Sequence, residues 1–186
     1  MWITGPAATS SVLPGLRFKG LDYCSAGALP ETEGITTVGE VATEGVSMPF
    51  VRITLSTDRP EPTRAAVGEG VRRALVSAIG VPQDDRFQII DAQPASAFHV
   101  DRHFLDGDRR DPVVVEIRLT SGRTRDMKLA LYQTIVANLS EVGVRPDDVV
   151  ILLQESERED WSLGGGKMQL LDEELIRKYG WSPPEA

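Results

Sequence analysis

A repeat of 63 residues constrains this chain more than any other feature. Pro49 and Pro112 open two similar stretches, "PFVRITLST" and "PVVVEIRLT", and Gly80 and Gly143 open "GVPQDDRFQII" and "GVRPDDVVILL". The pairs Pro49–Pro112, Gly80–Gly143 and Asp85–Asp148 all share the 63-residue spacing. Self-similarity at one fixed period marks a duplicated supersecondary unit.

Each copy reads as strand, helix, strand. In "PFVRITLST" Val51, Ile53 and Leu55 alternate with Arg52, Thr54 and Ser56, the pattern of a half-buried strand that tolerates proline as its first residue. A helix is expected over 62–79, with Val67, Val71, Ala74, Leu75, Ala78 and Ile79 on one face and Gly80 at the C′ position. Gly68 and Gly70 weaken its first half. "RFQIIDA" follows as a strand. In the second copy, 112–120 is a strand and Thr124 caps a helix carrying Met127, Ala130, Leu131, Ile135, Val136 and Leu139, ending at Gly143. "VVILLQE" (149–155) is the fourth strand.

Connections of this length give parallel pairs with right-handed crossovers. The expected fold is therefore α/β: two β-α-β units, 49–111 and 112–170, forming a four-stranded, mostly parallel sheet with two helices on one face. The other face would be bare, so an oligomer is expected. A tail, 170–186, places Leu171, Leu175 and Tyr179 at helical spacing for docking. Residues 1–47 are rich in Gly, Ala, Ser, Thr and Pro, with Arg17 and Lys19 as their only cations. They sustain no period and read as a disordered extension, or as sequence upstream of the true start. The domain proper is then 49–186.

Composition excludes several functions. A net charge of −8 and a pI near 4.8 argue against a nucleic-acid surface. No apolar run approaches a membrane span. Cys24 stands alone, which excludes an intrachain disulfide and fits a reducing cytoplasm. "GGGK" (164–167) lacks the Ser or Thr and the first glycine of a phosphate loop. His99 and His103 lack a clear third ligand, so no metal is expected.

The Met-Pro pair opening the first strand, the duplicated unit, "GVPQDDRFQ", "SGRT" before the second helix and "DWSLGGG" near the end together resemble the tautomerase superfamily, most of all its malonate semialdehyde decarboxylase-like branch. The resemblance covers about residues 48–170. It implies a cofactor-independent homotrimer acting on a small oxo-carboxylate through an amino-terminal proline exposed by removal of the initiator methionine. By position the proline falls on Pro49, the assisting aspartate on Asp85, and one of two substrate-binding arginines on Arg123. The other arginine falls on Ser121 and is missing. Trp161 and Leu163 match an apolar wall of the family's pocket.

The chemistry turns on one nitrogen. A terminal proline is a secondary amine of the kind that titrates near ~8, able to move a proton beside a carbonyl or to attack the carbonyl itself. Inside a peptide bond the same nitrogen is an inert amide. Two readings follow: an enzyme translated from Met48 and trimmed to Pro49, or a non-catalytic binding or assembly protein with Pro49 blocked. Glu44-Gly45 is encoded by GAR-GGN, a purine-rich stretch suited to a bacterial ribosome-binding site just ahead of Met48. That favours the enzyme.

Overall fold

A computed structural model describes residues 48–182. The expectation for 1–47 lies outside the described residues, as does the end of the tail, 183–186. The elements are β1 (Phe50–Ser56), α1 (Glu61–Ile79), β2 (Phe87–Gln93), β3 (Val113–Thr120), α2 (Arg125–Ser140), β4 (Val149–Ser156) and α3 (Glu173–Tyr179). The strands form one sheet in the order β2-β1-β3-β4. Each unit contributes a parallel pair, β1 with β2 and β3 with β4, and the units join through an antiparallel β1–β3 seam.

Alternation decides which face is buried. Val51, Ile53 and Leu55 of β1 and Val113, Val115, Ile117 and Leu119 of β3 are at most 2% exposed, and they meet the apolar stripes of α1 and α2. Along the helices the match runs copy to copy: Val67, Val71 and Leu75 in α1 correspond to Leu131, Ile135 and Leu139 in α2, and all six are buried. The β1–β3 register pairs Arg52 with Glu116 and Ile53 with Val115. An approximate two-fold axis relating the copies therefore passes through the middle of this seam. The two opening prolines stand at opposite ends of the sheet.

Gly68 and Gly70 serve packing. A β-carbon on Gly68 would stand 2.8 Å from Ile90 Cδ1, and one on Gly70 would stand 3.1 Å from Leu139 Cδ2. Their carbonyls accept from Gln88 Nε2 and Asn138 Nδ2, both at 2.9 Å. The lost helix propensity is exchanged for close approach of α1 to β2 and to α2.

Three expectations need correction. The second helix ends at Ser140, three residues before Gly143, because the Val144 N–H closes back on the Leu139 carbonyl at 3.0 Å. Ala130, placed on its inner face, is exposed. In the tail the buried residues are Leu170 and Ile176, while Tyr179 is 57% exposed and stacks on Trp181. A 3₁₀ turn over Gln169–Leu171 shifts the phase before Asp172 caps α3. The sheet face away from the helices carries Phe87, Ile89 and Leu152, exposed at 45%, 42% and 53%. Among the described residues no helix is long and apolar enough to cross a membrane.

Candidate active site

Topology gathers the candidate residues at one end of the sheet. Phe50 pairs with Phe87 of β2 and with Arg118 of β3, so the starts of β1 and β2 lie beside the ends of β3 and β4. Pro49 is buried immediately ahead of β1. Asp85 is two residues ahead of β2, held by a turn in which its N–H donates to the Pro82 carbonyl at 3.1 Å. A small pocket is lined by both, with Val51, Arg72, Leu75 and Gln88 among its other walls.

The Asp85 carboxyl is the anomalous group here. Its Oδ1 is buried and has no hydrogen-bond partner among the described residues. Burial pushes its pKa up to about 6, so it gains or loses a proton just below neutrality. A carboxyl left unsatisfied in a pocket it shares with Pro49 is suited to proton transfer.

Arg72 went unrecognised in the sequence. Its Nε and Nη2 grip Glu69 at 3.0 and 2.7 Å, and its Nη1 donates to the Gln83 carbonyl at 3.2 Å. It thereby pins the segment leading into Asp85. The Glu–x–x–Arg spacing on a helix was the only available signal, and it is an ordinary surface pattern.

Arg123 lies beyond the end of β3, just before the α2 cap, where Thr124 Oγ1 accepts the Met127 N–H at 3.2 Å. It is only 9% exposed. Its Nη1 donates to the Thr120 and Ser121 carbonyls at 3.1 and 3.4 Å, and its backbone N–H donates to Glu155 Oε1 at 3.1 Å. Burial lowers its pKa, and the Glu155 charge opposes that shift. Glu155 itself is ion-paired with Lys128. Among the described residues no carboxylate forms an ion pair with the Arg123 guanidinium.

The remaining predicted residues stand apart from the pocket. Ser121, at the position of the missing arginine, donates through Oγ to Glu157 Oε1 at 2.8 Å. Trp161 Nε1 donates to Ser156 Oγ at 2.9 Å, which holds the indole against the end of β4. Leu163 is 36% exposed, and its N–H donates to Gln169 Oε1 at 2.9 Å. Neither Trp161 nor Leu163, nor Arg123, lines the Pro49–Asp85 pocket. His99 and His103 are exposed and face the Ser96 and Gly107 carbonyls.

Comparison with known proteins assigns the chain to a family. Two family profiles, both described as "Tautomerase enzyme", match residues 49–101 and 85–164. "Probable tautomerase YusQ" of Bacillus subtilis is 36% identical over 127 residues, 67% of this chain and 100% of the relative. "Probable tautomerase YrdN" of the same organism is 28% identical, over 69% of this chain and 100% of the relative. Among solved structures, FG41 malonate semialdehyde decarboxylase inhibited by 3-bromopropiolate superposes with a TM-score of 0.63 at 30% identity, covering 73% of this chain and 99% of that one. A fused 4-OT symmetric trimer shares the fold, with a TM-score of 0.54 at 20% identity over 63% of this chain and 94% of that one. With a relative matched along its whole length and the duplicated β-α-β fold in place, the chain is an enzyme of the tautomerase superfamily.

Proposed function

We propose that the working enzyme begins at Pro49, after translation from Met48 and removal of the methionine, and that its secondary amine is the acid–base group for a small oxo-carboxylate. The observation that carries this reading is the juxtaposition of a buried Pro49 with an unpartnered Asp85 carboxyl in one pocket. The amine removes or returns a proton beside the substrate carbonyl, and Asp85 relays it. Arg123 holds the substrate carboxylate and stabilises the negative charge that develops on enolisation. Keto–enol tautomerisation is the core reaction, and decarboxylation or hydration are reachable from the same groups. Ser121 in place of an arginine leaves one cation fewer for the carboxylate than the decarboxylase pattern has. The reaction needs no cofactor.

The assembly proposed is a homotrimer in the cytoplasm. Phe87, Ile89 and Leu152 on the uncovered sheet face support association, as does the trimer reported for the fused 4-OT relative.

Covalent labelling tests the reading. The solved decarboxylase relative is inhibited by 3-bromopropiolate. Incubation of this protein with 3-bromopropiolate should abolish ketonisation of phenylenolpyruvate and add one label to the peptide beginning at Pro49. Loss of activity with the label elsewhere, or a Pro49 peptide left unmodified, contradicts it.

A further inference from the structure

The far end of the sheet holds a second copy of the same constellation. Pro112 opens β3 as Pro49 opens β1, and Asp148 precedes β4 as Asp85 precedes β2. Arg59 stands one residue before the α1 cap Pro60, as Arg123 stands one residue before the α2 cap Thr124. Both arginines are buried, at 8% and 9% exposure. The second copy is longer by one residue between proline and arginine, because β3 has eight residues and β1 seven.

At this end the proline nitrogen is already acylated, by Asp111, and the surrounding groups hold that acyl group. Arg59 Nη2 donates to the Asp111 carbonyl oxygen at 2.6 Å and pairs with its carboxylate Oδ2 at 2.8 Å. Asp148 Oδ1 accepts the Asp111 N–H at 3.3 Å and the Arg110 N–H at 2.6 Å. One guanidinium therefore reads a carbonyl and a carboxylate separated by two carbons, Cα and Cβ. The aspartate touches the substituent on the carbon next to that carbonyl. At the other end Met48 stands where Asp111 does, and it supplies no carboxylate to Arg123.

We propose that Asp111 is a built-in replica of the substrate, so that the Pro49 site takes a 4-oxo acid. Its carbonyl carbon, C4, meets the Pro49 nitrogen, its carboxylate sits on Arg123, and its C3 hydrogen faces Asp85. This rests on the free-amine reading of Pro49. The proline nitrogen attacks C4, and the carbonyl oxygen takes up two protons (one from the amine, one from solvent) and leaves as water. The product is a cationic iminium. The Asp85 carboxylate then removes a C3 proton, and the C–H electron pair becomes the C3–C4 double bond of a neutral enamine. Reprotonation at C3 and addition of water restore the amine and release the 4-oxo acid. A 3-oxo acid would bring its carboxylate one carbon short of the arginine.

The test compares aldehydes that differ only in spacer: glyoxylate, 3-oxopropanoate and 4-oxobutanoate. Protein produced from its complete gene, its amino terminus read by intact mass, is incubated with each aldehyde and cyanoborohydride, which reduces an iminium to a stable tertiary amine. The labelling rate of Pro49 is divided by that of prolinamide with the same aldehyde, which removes intrinsic reactivity. The expected result is a ratio for 4-oxobutanoate about tenfold or more above the other two. A highest ratio for 3-oxopropanoate or glyoxylate would overturn the 4-oxo assignment and leave the amine reading standing. Labelling of lysines with Pro49 untouched would overturn both.

Discussion

The two ends of the sheet carry the same three residue types and pair them differently. At the Pro112 end the proline nitrogen is an amide, Asp148 is 2% exposed with two backbone N–H donors on it, and Arg59 is paired with Asp111. Every charge there has a partner. At the Pro49 end the Asp85 oxygen has none, and no carboxylate of the described residues pairs with Arg123. The aspartate of this constellation is hydrogen-bonded at one end and unpaired at the other, although Arg59 Nε is buried without a partner among the described residues. An unsatisfied buried carboxyl costs stability, and its presence at one end alone is what the proposed ligand site requires.

Mutations made in pairs, one at each end, test the contrast. Pro49→Ala should lower kcat/KM for phenylenolpyruvate ketonisation by about a hundredfold or more, whereas Pro112→Ala should leave it within about twofold. Equal losses would mean that the prolines matter only to strand geometry. Arg123→Ala should lower the rate at which 4-oxobutanoate labels Pro49 by about a hundredfold, and should cost about 1 kcal/mol in urea unfolding because Thr120 and Ser121 lose its donor. Arg59→Ala should leave that labelling rate unchanged and cost about 1–2 kcal/mol, because it breaks a pair whose Asp111 partner is half exposed.

Asp85 gives the contrast a pH dependence. Burial holds its pKa near 6, above the ordinary carboxyl value, so the folded state resists its ionisation. Activity that needs the carboxylate should fall about tenfold per pH unit below about 6, and Asp85→Asn should remove that limb. Stability runs the other way. The advantage of the neutral carboxyl is complete below its ordinary pKa and is lost as pH rises through about 6. At pH 7, Asp85→Asn should therefore raise stability by about 1 kcal/mol or less, discounted for solvent screening at a half-buried group. Asp148→Ala should lower it by about 2 kcal/mol, since it strands two backbone donors.

The fold was legible in the sequence because alternation and the 63-residue spacing are local and repeated. Val51, Ile53 and Leu55 had to share a face, and Thr124 and Gly80 had to mark helix ends. Gly68 and Gly70 were misread as weak points because their purpose depends on Ile90 and Leu139, which are distant in sequence. For the candidate site, Pro49 and Asp85 came from the resemblance and the repeat together, and Arg123 from the resemblance alone. Arg72 was invisible, since its grip on Gln83 exists only once the loop ahead of β2 folds back on α1. The pairing of Arg59 with Asp111 was equally hidden, because it joins residues 52 positions apart.

Catalysis by this pocket requires that the Pro49 nitrogen be an amine. Intact mass and amino-terminal sequencing of the protein produced from its complete gene read this directly. The expected result is a chain beginning at Pro49, one residue after Met48. A chain beginning at Met1 would make Pro49 as inert as Pro112 and would contradict the proposed catalysis.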